Sequence, residues 1–300
     1  MDCGSSPLPS ADFHVWRSIT LYELHVRILM TYWNNKVVVI TGSSSGVGKE
    51  IAKGFLRAGA TVVISGRDEG RLDAAKEDLE SDSLFTVRCD VTDDASVEQL
   101  VQTVISEHGQ INVWINNAGK SDRGTAKELT VEQCQDAIDM NFLSTVRCTN
   151  QVMPYLIESQ GHLVNMGSLA AKSAGPFIGA YAIGKHPLTA YTQQLRPELK
   201  TDGVHVMFVC PGPIARDDPS PRYQVNNDMP ESAAKPGAGI RLNLIDPAKL
   251  TKKIIKGCET RKPEIIIPRK ARLYFALFQL FPRFADWYIA KKMKSKSKTN

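Results

Sequence analysis

"VVVITGSSSGVGKEIAKGF", residues 37–55, decides how the rest of the chain is read. Val37–Ile40 is an unbroken β-branched run, which fits a strand buried on both faces. Gly46–Ala58 reads as a helix, and Gly42, Gly46 and Gly48 lie in the turn between the two. Glycines there let the backbone approach a pyrophosphate closely, while the helix N-terminus offers N–H groups and a favourable dipole. A glycine turn alone is compatible with a purely structural bend. Its position between strand and helix favours dinucleotide binding.

From Lys36 onward the same alternation repeats. Apolar runs at Val37–Ile40, Thr61–Ile64, Leu84–Arg88, Ile111–Ile115, His162–Asn165, His205–Val209 and Glu264–Ile267 read as strands. Amphipathic segments such as Gly46–Ala58 and Ala95–Glu107 separate them. Parallel strands need crossover connections, so this order predicts an α/β fold: a three-layer, Rossmann-type doubly wound sheet of about seven parallel strands. Ile214–Gly239 is rich in Pro, Asp, Asn and Ser without periodicity and reads as a lid over the substrate. A domain over 30–268 is expected, with an N-terminal extension over 1–29 and a tail over 269–300.

Composition narrows the function classes. The 300 residues are 42% hydrophobic and 23% charged, ordinary for a globular chain. Residues 269–300 hold nine Lys/Arg and one acid, a net charge of +8, so the other 268 residues carry −3. A mildly acidic body argues against nucleic acid as the partner, because such domains line their own groove with bases. Six scattered cysteines, with no CxxC pair and no metal-ligand spacing, suit reduced thiols in the cytoplasm. Residues 1–29 lack the basic start and continuous apolar stretch of a signal peptide, and Arg17, Glu23 and Arg27 interrupt any membrane span. They read as dispensable, with an amphipathic surface helix at 14–29 as the alternative.

Seven short motifs stand in one order: "TGSSSGVG" (41–48), "CDV" (89–91), "NNAG" (116–119), Asn141 in "MNFLST", Ser168 in "NMGSLA", "YAIGK" (181–185) and "PGPI" (211–214). Together they resemble the short-chain dehydrogenase/reductase family over roughly residues 33–268. The resemblance implies an NAD(P)-dependent oxidoreductase. Its cofactor contacts would come from Gly42, Ser44, Ser45, Gly46, Val47, Gly48, Val91, Asn117, Ala118, Gly119, Pro211, Gly212 and Ile214, with Asp90 at the adenine edge. Homodimers or homotetramers are usual for proteins of this resemblance.

The end of the second strand bears on cofactor choice. An NAD site normally places a carboxylate there to grip the ribose hydroxyls. This chain has Gly66 followed by Arg67, which favours a 2′-phosphate and hence NADP(H). Asp68 competes for a ribose but suits a helix cap better.

Tyr181 and Lys185 are four residues apart and face one way on a helix. A nearby ammonium is expected to lower a phenol from its usual ~10 and ease proton exchange. By resemblance, Lys185 also holds the nicotinamide ribose, Ser168 bonds the substrate oxygen and Asn141 anchors a water relay to Lys185. Pro187 predicts a kink just after Lys185. Arg216 stands where the family has a threonine near the nicotinamide amide, so a contact to the pyrophosphate is expected of it instead.

These residues predict carbonyl reduction with NADP(H), or its reverse, on a small-molecule substrate, an apolar one among those admitted. The rivals are an NAD-linked alcohol dehydrogenase and a non-catalytic nucleotide-sensing scaffold on the same fold. In the tail, Leu273, Leu277, Leu280, Phe284 and Trp287 recur at helical spacing ahead of clustered lysines. That stripe suits either peripheral contact with an anionic membrane surface or packing on a partner subunit or the lid.

Overall fold

The structure is a computed structural model that describes residues 32–216, 223, 229, 233, 235–236 and 243–294. The extension over 1–29, most of the lid and the last lysines lie outside the described residues. Seven strands form one sheet: β1 (Val37–Ile40), β2 (Thr61–Gly66), β3 (Leu84–Arg88), β4 (Val113–Asn116), β5 (His162–Met166), β6 (His205–Pro211) and β7 (Glu264–Ile267). Their spatial order is β3-β2-β1-β4-β5-β6-β7, and every pairing is parallel. The order reverses between β1 and β4, and a ligand crevice is expected at the carboxyl ends of those strands.

The crossovers are α1 (Gly46–Arg57), α2 (Glu69–Leu79), α3 (Asp94–His108), α4 (Val131–Ile138), α5 (Ser144–Glu158), α6 (Tyr181–Lys185), α7 (Pro187–Glu198) and α8 (Pro247–Glu259). Two further helices, α9 (Ala271–Leu280) and α10 (Pro282–Lys294), follow the last strand. Side chains alternate across each strand, so β1 feeds two cores. Val38 and Ile40 pack with Ile51 and Phe55 of α1, whereas Val37 and Val39 pack with Leu100 and Val104 of α3. Burial on both faces is why the strands are continuous apolar runs rather than alternating ones.

Two features tie down the end of the sheet opposite the crevice. Trp33 is 1% exposed, stacks edge-on against Phe55 and donates from Nε1 to Glu259 Oε1 at 3.0 Å. Nearby, His205 Nε2 faces the Lys262 carbonyl at 2.9 Å, and a carbonyl can only accept. A neutral His205 therefore accepts at Nδ1 from His162 Nδ1, 3.0 Å away, and His162 Nε2 accepts from the Tyr32 hydroxyl at 3.2 Å. Burial pushes both imidazoles below the ordinary histidine range, His162 to about 3, consistent with that neutral chain.

Candidate active site

The glycine turn and the "NNAG" segment are stitched together at the mouths of β1 and β4. Thr41 Oγ1 accepts from the backbone N–H of Asn117 and of Ala118, both at 3.1 Å. Asn117 Nδ2 donates to the carbonyls of Thr41 and Gly42 at 2.9 and 2.8 Å. Gly42 and Gly46 have φ of +60° and +55°, where a side chain would be strained. A Cβ on Gly42 would also stand 2.8 Å from Ala118 Cα. Ser45 precedes α1 without a side-chain cap and the first turn of α1 has no acid, so the helix end keeps its positive character.

Above this turn lies a trough made of two joined cavities that share Val47, Asn117 and Gly119. The outer one, about 1030 Å³, is lined by Gly42, Ser44, Ser45, Gly48, Arg67, Val91 and Ala118. Arg71 and Arg88 also line it, and neither was singled out from the sequence. Arg88 Nε donates to the Arg67 carbonyl at 3.2 Å, so two guanidiniums are held at one corner. Asp68 caps α2, its Oδ1 accepting from Arg71 N at 3.0 Å, as its position suggested. Asp90 sits behind Arg67, with Oδ2 3.7 Å from Nη1. Partial burial pushes the Asp90 carboxyl up, but hydrogen bonds from the Thr92 amide and hydroxyl and the Arg67 charge outweigh it and hold it low.

The inner cavity, about 500 Å³, is lined by Gly46, Ser168, Tyr181, Lys185, Pro211, Gly212, Ile214 and Arg216. Ser168 follows β5 and caps the short turn Leu169–Ala171. Its hydroxyl also neighbours the Tyr181 phenol and favours its ionised form. Lys185 is 4% exposed and donates from Nζ to the Met166 carbonyl at 3.0 Å. Asn141 lies in a π-helical turn, Asp139–Leu143, between α4 and α5. Its Oδ1 accepts from Lys120 N at 3.0 Å and its Nδ2 donates to the carbonyls of Lys120 and Ala137. A Cβ on Gly119 would come within 2.8 Å of Asn141 Oδ1 and 3.1 Å of Lys185 Nζ, so these two groups flank the same bare stretch of backbone. The helix breaks at His186, and Pro187 becomes the first residue of α7, where its missing N–H costs little.

One electrostatic expectation is corrected. Burial raises the Tyr181 phenol above its usual value, and the Ser168 hydroxyl and the Arg123 charge only partly offset that. The same burial pushes the Lys185 ammonium down to about 8.

Three further contributors carried no recognisable sequence signal. Arg123, 9% exposed, lines the inner cavity and donates from Nε to the Ala233 carbonyl at 3.0 Å, with the Tyr223 ring stacked 3.3 Å below its guanidinium carbon. A buried amide network, Trp114–Asn116–Asn165–Thr192, braces β4 and β5 beneath the site with bonds of 2.8–3.0 Å. Third, α9 and α10 bring Tyr274, Phe275, Phe278, Tyr288 and Ile289 onto the inner cavity wall. Of the stripe singled out in the sequence, Leu273, Leu280 and Trp287 are exposed, whereas Phe284 also packs against Phe278 and Tyr288, with centroids 6.2 and 6.1 Å apart.

The trough has the form a dinucleotide requires: cations at one end, bare glycine backbone and a helix N-terminus in the middle, and a hydroxyl pair beside a lysine at the other. Residues 36–221 match the sequence profile of the short chain dehydrogenases. The chain is 32% identical over 244 residues to dehydrogenase/reductase SDR family member 7B of Danio rerio, covering 78% of this chain and 77% of that one. It is 30% identical over 275 residues to dehydrogenase/reductase SDR family member 7 of Homo sapiens, covering 87% and 78%. A short-chain dehydrogenase structure from Streptomyces avermitilis superposes with a TM-score of 0.72 at 26% identity, covering 88% of this chain and 98% of that one. A family structure from Burkholderia phymatum in complex with NAD shares the fold, with a TM-score of 0.73 at 21% identity over 84% and 96% of the two chains. This chain belongs to the short-chain dehydrogenase/reductase family of oxidoreductases.

Proposed function

We propose that this oxidoreductase interconverts a carbonyl and an alcohol with NADP(H), and that Tyr181 is its general acid and base. The observation that carries the reading is the Ser168–Tyr181 hydroxyl pair, with Lys185 one helical turn on, at the junction of a cationic and an apolar cavity. The cofactor would supply or accept the hydride. Tyr181 gives its proton to the substrate oxygen in reduction, and its raised pKa keeps that proton in place at neutral pH. Ser168 holds the same oxygen. Lys185 positions the nicotinamide ribose, and Asn141 fixes the backbone at Lys120 beside it.

Arg67, backed by Arg88, takes the 2′-phosphate. Asp90 and Val91 border the adenine, and Ser44, Ser45 and the N-terminus of α1 face the pyrophosphate. Arg216 supplies a further cation on the nicotinamide side. An NAD-linked dehydrogenase remains the rival on account of Asp68 and Glu69 in the outer cavity, although Asp68 Oδ1 already caps α2. The Ser168–Tyr181–Lys185 set speaks against a non-catalytic scaffold. Assembly into a homodimer or homotetramer accompanies this reading and is checked by light scattering.

Among the described residues no helix is long and apolar enough to cross a membrane. The exposed face of α9 and α10 nonetheless favours a peripheral role at an anionic lipid surface. Leu280 and Trp287 are 71% and 55% exposed there beside Arg283 and Lys291.

The test is a screen of ketones and aldehydes with NADPH and NADH, followed at the nicotinamide absorbance, on the wild type and Tyr181→Phe. The expected result is NADPH-dependent turnover that falls at least about 100-fold in the variant while NADPH binding is retained. Turnover surviving in Tyr181→Phe would overturn the assignment.

A further inference from the structure

We propose that the hairpin α9–α10 is the specificity wall of the active site and selects a carbonyl or alcohol carried on a bulky hydrocarbon body. The inference rests on the reaction proposed above and adds the class of substrate.

Ser168, Tyr181 and Lys185 share the inner cavity with Tyr274, Phe278 and Tyr288. Those three aromatic side chains form a single cluster, with ring centroids 5.4 Å apart for Tyr274–Tyr288, 5.8 Å for Phe278–Tyr288 and 6.2 Å for Tyr274–Phe278. Partial burial and the neighbouring Tyr274 hydroxyl raise the Tyr288 phenol above its usual value. The wall is thus built mainly from aromatic rings, with two phenol hydroxyls side by side at its edge. Apolar contact without matching hydrogen bonds selects by size and hydrocarbon content rather than by functional group.

The wall is also fixed in relation to the reacting groups. Ala271 is buried in a small core with Phe208, Cys210 and Ile266, and Phe275 packs on it. Arg272 donates from Nη2 to the Glu264 carbonyl at 3.2 Å and pairs with its carboxylate at 3.4 Å. Glu264 also binds Lys172 at 2.9 Å, in the segment that follows Ser168. One carboxylate therefore links the base of α9 to the loop carrying the catalytic serine. A substrate whose oxygen lies on Ser168 and Tyr181 shares its cavity with Tyr274, Phe278 and Tyr288, and the proposal places its body against them.

Added hydrocarbon should strengthen recognition by about three- to fourfold per methylene until the wall is covered. Two body shapes meet this description, a long chain and a fused polycycle, and they are separated by measurement. We would determine kcat/KM with NADPH, and calorimetric binding without turnover, for 2-alkanones of increasing length and for a polycyclic ketone. The proteins are the wild type, Phe278→Ser, Phe278→Trp and Leu273→Ser, the last on the opposite, exposed face of α9.

In the wild type, both quantities are expected to rise steeply with size in at least one series, and that series identifies the body shape. Phe278→Ser should flatten the long-to-short ratio at least tenfold. Phe278→Trp, which narrows the cavity without removing apolar packing, should reject the largest members, and Leu273→Ser should keep the wild-type ratio. Turnover and binding that are both independent of size, or a ratio unchanged in both Phe278 variants, would overturn the wall. If no ketone is turned over but size-dependent binding follows Phe278, the proposed reaction fails and the wall stands.

Discussion

Lys185 donates from Nζ to the carbonyl oxygen of Met166 at 3.0 Å, tying the helix that carries Tyr181 to the last residue of β5. The bond keeps a desolvated ammonium beside Gly119, where a bound nicotinamide ribose would lie. Burial lowers this lysine to about 8, so its charge is present below that pH and is lost as pH rises through it. NADPH binding is therefore expected to hold steady near pH 7 and to weaken above about pH 8. Lys185→Arg stays charged and should lose that inflection while binding less well overall. The stability sign is the reverse. A lysine whose folded pKa lies below its unfolded value destabilises the fold while charged, and the penalty disappears as pH rises past the folded pKa. Lys185→Met should thus gain melting temperature at pH 7 relative to pH 10. Titration by fluorescence and thermal scans at the two pH values check both halves, and a pH-independent NADPH affinity would refute the first.

Arg67 is two-thirds exposed, with Nη1 3.7 Å from Asp90. Arg67→Asp removes a guanidinium and places a second carboxylate near Asp90, which repels a 2′-phosphate. A charge-assisted hydrogen bond contributes about 1.5–3 kcal/mol, so the NADPH-to-NADH ratio of kcat/KM should fall at least about tenfold. Arg88→Ala, which loses the bond to the Arg67 carbonyl, should move the ratio the same way by less. An unchanged ratio in Arg67→Asp would show that the phosphate is held elsewhere, with Arg71 and Arg216 next to be tested.

How much of this was legible from the sequence follows from the range of the interactions. Most of the seven strands could be read because they are buried on both faces and appear as apolar runs, whereas β3, at the sheet edge, is only partly buried. The ends moved by one or two residues, β4 opening at Val113 rather than Ile111 and β6 continuing to Pro211, since pairing partners fix them. Tyr181 and Lys185 were legible as a pair through helical spacing, and as a candidate site through the family resemblance of the surrounding motifs. Arg123 was not: its partner Ala233 lies 110 residues away. The cavity-lining face of the tail was missed for a different reason. The tail is aromatic on several sides, and its orientation is set by Ala271 and Phe275 packing on the body, which periodicity cannot register.

Trp33 tests where the folded domain begins. Its ring centroid is 4.9 Å from that of Phe55 and its Nε1 is bonded to Glu259. Removing residues 1–29 should leave the melting temperature and activity unchanged, because Tyr32 and Trp33 are retained. Trp33→Ala should cost about 3–5 kcal/mol in urea unfolding, as expected for truncating a large buried aromatic. A loss below about 1 kcal/mol would mean the site collapses around the missing ring.

The exposed side of α9 and α10 gives the last prediction. Leu273, Leu280, Phe281 and Trp287 are 55–71% exposed, and Lys291 lies 4.9 Å from the Trp287 ring. Residues 269–294 carry seven bases and one acid, a net charge of +6. Each base near an anionic bilayer adds about 1 kcal/mol, and salt screens that attraction within roughly 10 Å. The protein should float with phosphatidylserine-containing vesicles at low salt, less at high salt, and least with vesicles of phosphatidylcholine alone. Deleting the whole tail is a poor test, because Tyr274, Phe278 and Tyr288 would leave the cavity with it. The double variant Leu280→Ser/Trp287→Ser keeps that wall and removes two exposed apolar groups, so it should reduce flotation while leaving ketone size selection intact. Equal flotation of this variant and the wild type would show that these side chains do not enter the bilayer, and would leave contact with a second subunit as the role of that face.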